Sequence, residues 1–270
     1  MIGKVKIRHL FLLAWLAALS TKAQVSSENY VQTTERISDT QVLSTTEYYD
    51  GLGRPFEMVE QKKTPDGANL IHLKEYDGLG RDWKTWLPVK DASDFLSISA
   101  ARSQGNNQYR DSHAFSLTEY DGSPLNRINT VEGVGAEWTS HPVKKDYLVN
   151  TSKYPLNCKY YRVSMQGQLQ DKGYYPEGRL YVTKTTDENG NESYEFKNIA
   201  GNVILKRTIC SIDEAADTYY IYDYRGNLAF VLPPNYQEEP SLDLYAYQYK
   251  YDGQGNCTWK KLPGCEPIYM

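Results

Sequence analysis

This sequence has little of what a thick hydrophobic core is built from. Its 270 residues include 6 Phe and 4 Met, and the mean hydropathy is −0.64. Its most apolar run, residues 10–19, has ten residues, short of the roughly 20 that a membrane-spanning helix needs. No later segment is apolar enough to span a membrane. The Cys content is four, with no Cys-x-x-Cys spacing, so a zinc site has no support. No His-Glu-x-x-His, Gly-x-Ser-x-Gly or phosphate-loop pattern occurs. Basic residues number 30 against 34 acidic, which argues against a nucleic-acid partner.

What is there begins with a leader. Lys4, Lys6 and Arg8 precede the apolar run, and Ser20-Thr21-Lys22-Ala23 follows it with a small-residue cleavage site. That order is the layout of a secretory signal. Gln24, not cysteine, follows the cut, which disfavours a lipoprotein anchor. Export to the periplasm, the cell surface or the medium is expected. The remaining 247 residues carry 26 basic and 34 acidic side chains. Four cysteines in an exported chain permit disulfides. Cys257–Cys265 with Cys158–Cys210 is one pairing; free buried thiols are the alternative.

Tyrosine is the abundant aromatic, at 24 residues. A strand former with an apolar ring and a polar tip suits a thin sheet whose rings pack on one side. Five of these tyrosines mark an internal repeat. Tyr49-Asp50-Gly51-Leu52-Gly53-Arg54 returns unchanged as Tyr76-Asp77-Gly78-Leu79-Gly80-Arg81. Looser copies are Tyr120-Asp121-Gly122, residues 196–202, Tyr222-Asp223-Tyr224-Arg225-Gly226-Asn227 and Tyr251-Asp252-Gly253-Gln254-Gly255-Asn256. In each, the aromatic ends an incoming strand, the Asp carboxylate accepts backbone N–H bonds, and glycine supplies positive φ. The Arg or Asn then starts the outgoing strand. Alternating segments follow, as in hairpins. Asn189-Gly190 marks a further hairpin over residues 179–198. Leu-Pro closes outgoing strands at Pro88, Pro233 and Pro263. Residues 100–108 read as a short helix. A boundary falls near 142, giving a leader (1–23), an N-terminal module with the first repeats (24–141) and a hairpin segment (142–270).

Candidate chemistry is sparse. The repeat aspartates recur at one turn position in nearly every unit, whereas acid–base catalysis would need two, so they read as turn formers. His72, His113 and His141 read as surface or packing residues. Residues 187–192 imitate the start of a calcium loop but lack Gly at its sixth position and Glu at its twelfth, Asn198. No cofactor and no metal are expected. Trp83 and Trp86, with the runs Tyr219–Tyr224 and Tyr245–Tyr251, are the one ligand signal: rings that could stack on sugar, or pack across strands.

With these units the chain resembles the Rhs, or YD-repeat, family. The opening Asn29-Tyr30-Val31-Gln32-Thr33, the segment 181–187 and Leu262-Pro263-Gly264-Cys265-Glu266-Pro267 also look like family segments. The resemblance implies an all-β fold of antiparallel hairpins winding into a partial, open shell, with little helix. In complete bacterial members such a shell encloses a C-terminal toxin, released after a core region cuts itself. This chain has about six units, with no self-cleaving core and no toxin domain. It ends on Ile268-Tyr269-Met270, which reads as an entering strand. The expectation is a non-enzymatic structural segment, the N-terminal part of a longer exported protein. Its partner would be downstream Rhs sequence or a cargo domain. The alternative is a binding module for a glycan or a cell-surface partner.

Overall fold

Alternation of buried and exposed side chains dictates the architecture. A computed structural model describes residues 28–38 and 42–270, and almost every regular element in it is an antiparallel β-strand. The all-β expectation holds. The leader read at residues 1–23 lies outside the described residues. The chain divides into two compact units: one through Thr118 with Gly133–Ala136, the other Glu119–Glu132 with Glu137–Met270.

The first unit is a run of hairpins: β1 (Asn29–Arg36), β2 (Val42–Tyr49), β3 (Pro55–Glu60), β4 (Asn69–Tyr76), β5 (Asp82–Trp86) and β6 (Val89–Asp91). β7 (Phe115–Tyr120) begins in this unit and ends in the next. Strand β4 shows the period-2 rule directly, with Asn69, Ile71, Leu73 and Glu75 buried and the residues between them half-buried. It pairs with β5 through Lys74–Tyr76 and with β6 through Asn69–Ile71, so the Leu87-Pro88 break lets one chain cover β4 twice. Helix α1 (Ile98–Tyr109) is capped by the Ser97 hydroxyl, which accepts the Ala100 N–H at 3.3 Å. It lies against the core through Ala101 and Gly105. A methyl at Gly105 would stand 3.3 Å from the Trp86 ring, so the glycine permits the close approach. Phe56, Val59, Ile71, Leu73, Trp86 and Phe115 form the core. Full burial of side chains of this kind contributes about 1.5–3 kcal/mol each.

The second unit repeats the pattern over β8 (Ile128–Glu132), β9 (Val143–Val149), β12 (Tyr181–Thr186), β13 (Glu192–Lys197), β14 (Val203–Ser211), β15 (Glu214–Tyr222), β16 (Leu228–Leu232), β17 (Tyr247–Tyr251), β18 (Cys257–Lys261) and β19 (Ile268–Tyr269). Each pairs antiparallel with the next in this order. The short helix α2 (Pro234–Glu238) follows β16. Between β9 and β12 the chain makes a separate hairpin, β10 (Lys159–Val163) with β11 (Leu169–Tyr174). Buried Asn150 closes the neck of this insertion. Its Oδ1 accepts the N–H groups of Arg179 and Leu180 at 2.8 Å, and its Nδ2 donates to Pro176 O. The hairpin packs on β15, where the Tyr161 and Tyr219 rings meet edge to face at 5.2 Å. Arg207 anchors the loop before it, donating to Asp217 through two nitrogens and to the carbonyls of Pro155 and Asn157. Phe196, Leu205, Leu180, Val182 and Leu232 fill the core.

Candidate functional site

The repeat unit is a hairpin turn with one hydrogen-bonding scheme. Among the described residues eight turns share it, beginning at Asp50, Thr64, Asp77, Ser164, Asp187, Asn198, Asp223 and Asp252. In each, the first residue's N–H donates to the carbonyl of the fifth residue at 2.8–3.2 Å. The fourth residue's N–H donates back to the first carbonyl at 2.9–3.3 Å. The fourth residue is always glycine, with φ between +76° and +88°. This is the three-residue hairpin loop whose last residue is left-handed and makes a bulge. The ladders slip by one residue beside five of these turns, at Tyr49, Tyr76, Lys197, Tyr222 and Tyr251.

The side chain of the first residue completes the turn. Asp50 Oδ1 accepts the N–H groups of Leu52 and Arg54, each at 2.9 Å, and Oδ2 accepts Arg54 Nε at 2.8 Å. Asp77 repeats this with Leu79 and Arg81. Asp187, Asp223 and Asp252 do the same, with the amides of Asn191, Asn227 and Asn256 in place of the guanidinium. The closing Arg or Asn therefore belongs to the turn and does not start the outgoing strand, as the sequence pattern had suggested. These bonds hold several carboxyls below the ordinary range: Asp50 and Asp77 foremost through the N–H of Arg54 and Arg81, Asp187 and Asp252 foremost through the amides of Asn191 and Asn256. Asp121 uses a longer loop. Its N–H donates to Arg127 O at 2.8 Å, and its Oδ1 accepts the N–H and hydroxyl of Ser123. Gly122, Gly51 and Gly78 do not adopt positive φ, whereas Gly53, Gly80, Gly226 and Gly255 do.

The tyrosine has its own role. The Tyr76 hydroxyl donates to Pro55 O at 2.6 Å, Tyr222 to Val203 O at 3.1 Å and Tyr251 to Leu228 O at 3.0 Å. Each acceptor is the residue just after the closing Arg or Asn of the preceding repeat. Tyr147 makes the same bond to Ile128 O at 3.0 Å, past the Asp121 loop. A phenylalanine would pack as well but could not make this bond. Tyr49 instead bonds to the Glu47 carboxylate. Three of the eight turns were not assigned to the repeat from sequence, at Thr64, Ser164 and Asp187. No aromatic precedes them, but Thr, Ser or Asp followed three residues later by Gly was the usable signal.

The tryptophan pair does not form a stacking surface. Trp83 and Trp86 stand three apart on β5 and so face opposite ways. Trp86 is buried at 7% exposure, packs on Phe115 at 4.6 Å and donates Nε1 to Glu75 Oε1 at 2.7 Å. Trp83 is 37% exposed and carries Lys84 Nζ 4.3 Å above its ring. The sugar-stacking reading of that pair is thereby corrected. The histidines are dispersed: His72 bonds to Glu60, His141 to Ser140, and His113 lies on the Phe115 ring. Among the described residues, no cluster of three His, Cys, Asp or Glu could hold a metal.

All four cysteines are free thiols. Cys257 opens β18 and Cys265 lies beyond its end, so an extended strand separates them; the proposed Cys257–Cys265 bridge is excluded by this geometry. Cys158 is buried, which pushes its thiol up to about 12, while Cys210 is exposed.

A family profile described as Domain of unknown function (DUF6443) matches residues 20–149. No curated protein matches the chain. Among solved structures, a crystal structure of TcdB2-TccC3 is similar over 86% of this chain, at 16% identity and a TM-score of 0.50. The Photorhabdus luminescens Tc holotoxin pore, in a TccC3 mutant form, is similar over 86% at 16% identity and a TM-score of 0.51. In both cases this chain spans 11% of the solved chain. These likenesses show a shared fold. No helix among the described residues is long and apolar enough to cross a membrane.

Proposed function

We propose that this chain is a structural, non-catalytic segment of an exported Rhs/YD-repeat polypeptide. It forms the start of a β-shell, and sequence outside it supplies the remaining hairpins and the enclosed cargo or toxin. The observation that carries this reading is the repeated turn, which at Asp77, Asp223 and Asp252 joins a fully bonded aspartate to a tyrosine held by an earlier repeat. Such a unit specifies hairpin after hairpin and commits its polar groups to the backbone. Repeat arrays of this kind gain stability from their neighbours. The fold likeness to much longer toxin chains supports the same reading, and the leader supports export.

The partner is further Rhs sequence. Every residue of β1 is exposed, as are Ile268 and Tyr269 of β19. Exposed strands of this sort are ready templates for pairing. The test is co-expression with the polypeptide encoded directly downstream, followed by amide hydrogen exchange. A stable complex with slowed exchange in β19 is the expected outcome. Absence of a complex, with β19 exchanging as fast as in the isolated chain, would sink the reading.

A further inference from the structure

The turn at Asn198 departs from the aspartate turns, and it does so at the wall of a cavity. In the aspartate turns the second carboxylate oxygen accepts the closing side chain. Asn198 keeps half of the scheme: its Oδ1 accepts the N–H groups of Ala200 and Asn202, each at 3.0 Å. Its other atom is Nδ2, a donor, which could meet the Asn202 amide only through that amide's oxygen, and no such bond forms. Neither Asn198 Nδ2 nor the Asn202 side chain has a hydrogen-bond partner within the protein.

Both asparagines line a cavity of about 320 Å³ in the second unit, a volume at the lower end of small-ligand sites. Lys159 and Arg162 also line it, and neither forms an ion pair. Tyr160 and Tyr175 supply aromatic walls, their rings 4.4 Å apart. The one carboxylate on the wall, Asp223, has Oδ1 engaged by the N–H groups of Arg225 and Asn227 and Oδ2 by Asn227 Nδ2. The cavity thus offers unused donors, two cations and ring faces.

We infer that this cavity binds a small anion built on a single ring and carrying a carboxylate. The carboxylate would satisfy the idle amides and the two cations through charge-assisted hydrogen bonds, and the ring would pack on the tyrosines. A sugar acid and an aromatic acid share this chemistry. The site is independent of whether the chain builds a shell.

Titration calorimetry of the full chain tests it, with glucuronate and 4-hydroxybenzoate as probes and glucose and phenol as their uncharged counterparts. At least one carboxylate should bind about tenfold or more tightly than its counterpart, and which one does so identifies the source. Asn198→Asp restores the carboxylate of the other turns, so the melting temperature should hold. It also places a negative charge in the cavity, and affinity should fall about tenfold or more. Arg162→Gln, at an exposed side chain, should weaken binding in the same direction and serves if Asn198→Asp does not fold. Failure of both carboxylates to bind, equal binding of the uncharged probes, or unchanged affinity in the variants would overturn the inference.

Discussion

Glu57 is a carboxylic acid only 2% exposed to solvent. Its Oε1 accepts the Leu96 N–H at 3.0 Å, and its Oε2 has no partner. Burial raises its pKa to about 7, and the Leu96 bond offsets only part of that. The sign follows from proton counting. Between the ordinary carboxylate value and about 7 the folded chain holds a proton that the unfolded chain releases, so stability falls as pH rises through that window. The loss is on the order of 3 kcal/mol. Denaturant melts of the first unit across pH 4 to 8 should show this slope, and Glu57→Gln should flatten it; an unaltered slope in the variant would assign the effect elsewhere. The repeat glycines make a sharper pair. Gly80 has φ +82°, and a methyl there would stand 2.5 Å from Arg54 Nη1, whereas Gly78 has ordinary φ and open space. Gly80→Ala should cost about 1–2 kcal/mol. Gly78→Ala should stay within about 0.5 kcal/mol. Both are read from chemical denaturation, and equal costs would show that the left-handed backbone is not what the motif requires.

At the scale of elements, the tyrosine bond to the preceding repeat is the feature to perturb. Tyr222→Phe and Tyr251→Phe keep the ring and lose the hydroxyl, and each should destabilise by about 1 kcal/mol. Tyr181→Phe, at a position 61% exposed, is the control and should change nothing measurable. The elements were also where sequence and structure agreed best. Asp-x-x-Gly with a closing Arg or Asn is legible because its hydrogen bonds are local, spanning five residues. The helix read over 100–108, which runs Ile98–Tyr109, was legible for the same reason, and the Leu-Pro breaks at Pro88 and Pro233 mark real strand ends. What the sequence hid is long-range. Asn150 reads as an ordinary polar residue, yet it closes an insertion that ends 30 residues later. Trp86 looks like a free ring until Glu75, 11 residues before it, is seen to hold its nitrogen. Glu57 fits the alternation of a solvent-facing position, but the adjoining segment up to Leu96 covers it.

At the scale of the whole chain, two separate clusters of buried side chains lie one in each unit. The second depends on a buried charge pair. Arg207 is 5% exposed and spends its donors on Asp217 and on the loop carbonyls. Removing one partner of such a pair leaves a charge without compensation, at about 3–5 kcal/mol. Asp217→Asn should therefore lower the melting of the second unit. Amide exchange at Ile71 and Val59, in the first core, should stay as slow as in the parent chain. Parallel loss of protection at both places would mean that the two units unfold as one.

The bonds from Tyr76, Tyr147, Tyr222 and Tyr251 to a carbonyl beyond an earlier turn limit how such chains can change length. A strand's side chains alternate between faces, so a one-residue slip sends the ring to the wrong side and leaves its hydroxyl without a carbonyl. Register errors thus lose a specific bond as well as buried area, so single-residue insertions within these strands should be destabilising. Length can vary only where the check is blind, inside the loop. The Asp121 turn is such a case: it runs two residues longer than its fellows, yet Arg127 O still receives the Asp121 N–H and Tyr147 still reaches Ile128. Diversification in a lineage of these repeats should accumulate at loop tips, in whole hairpins or not at all.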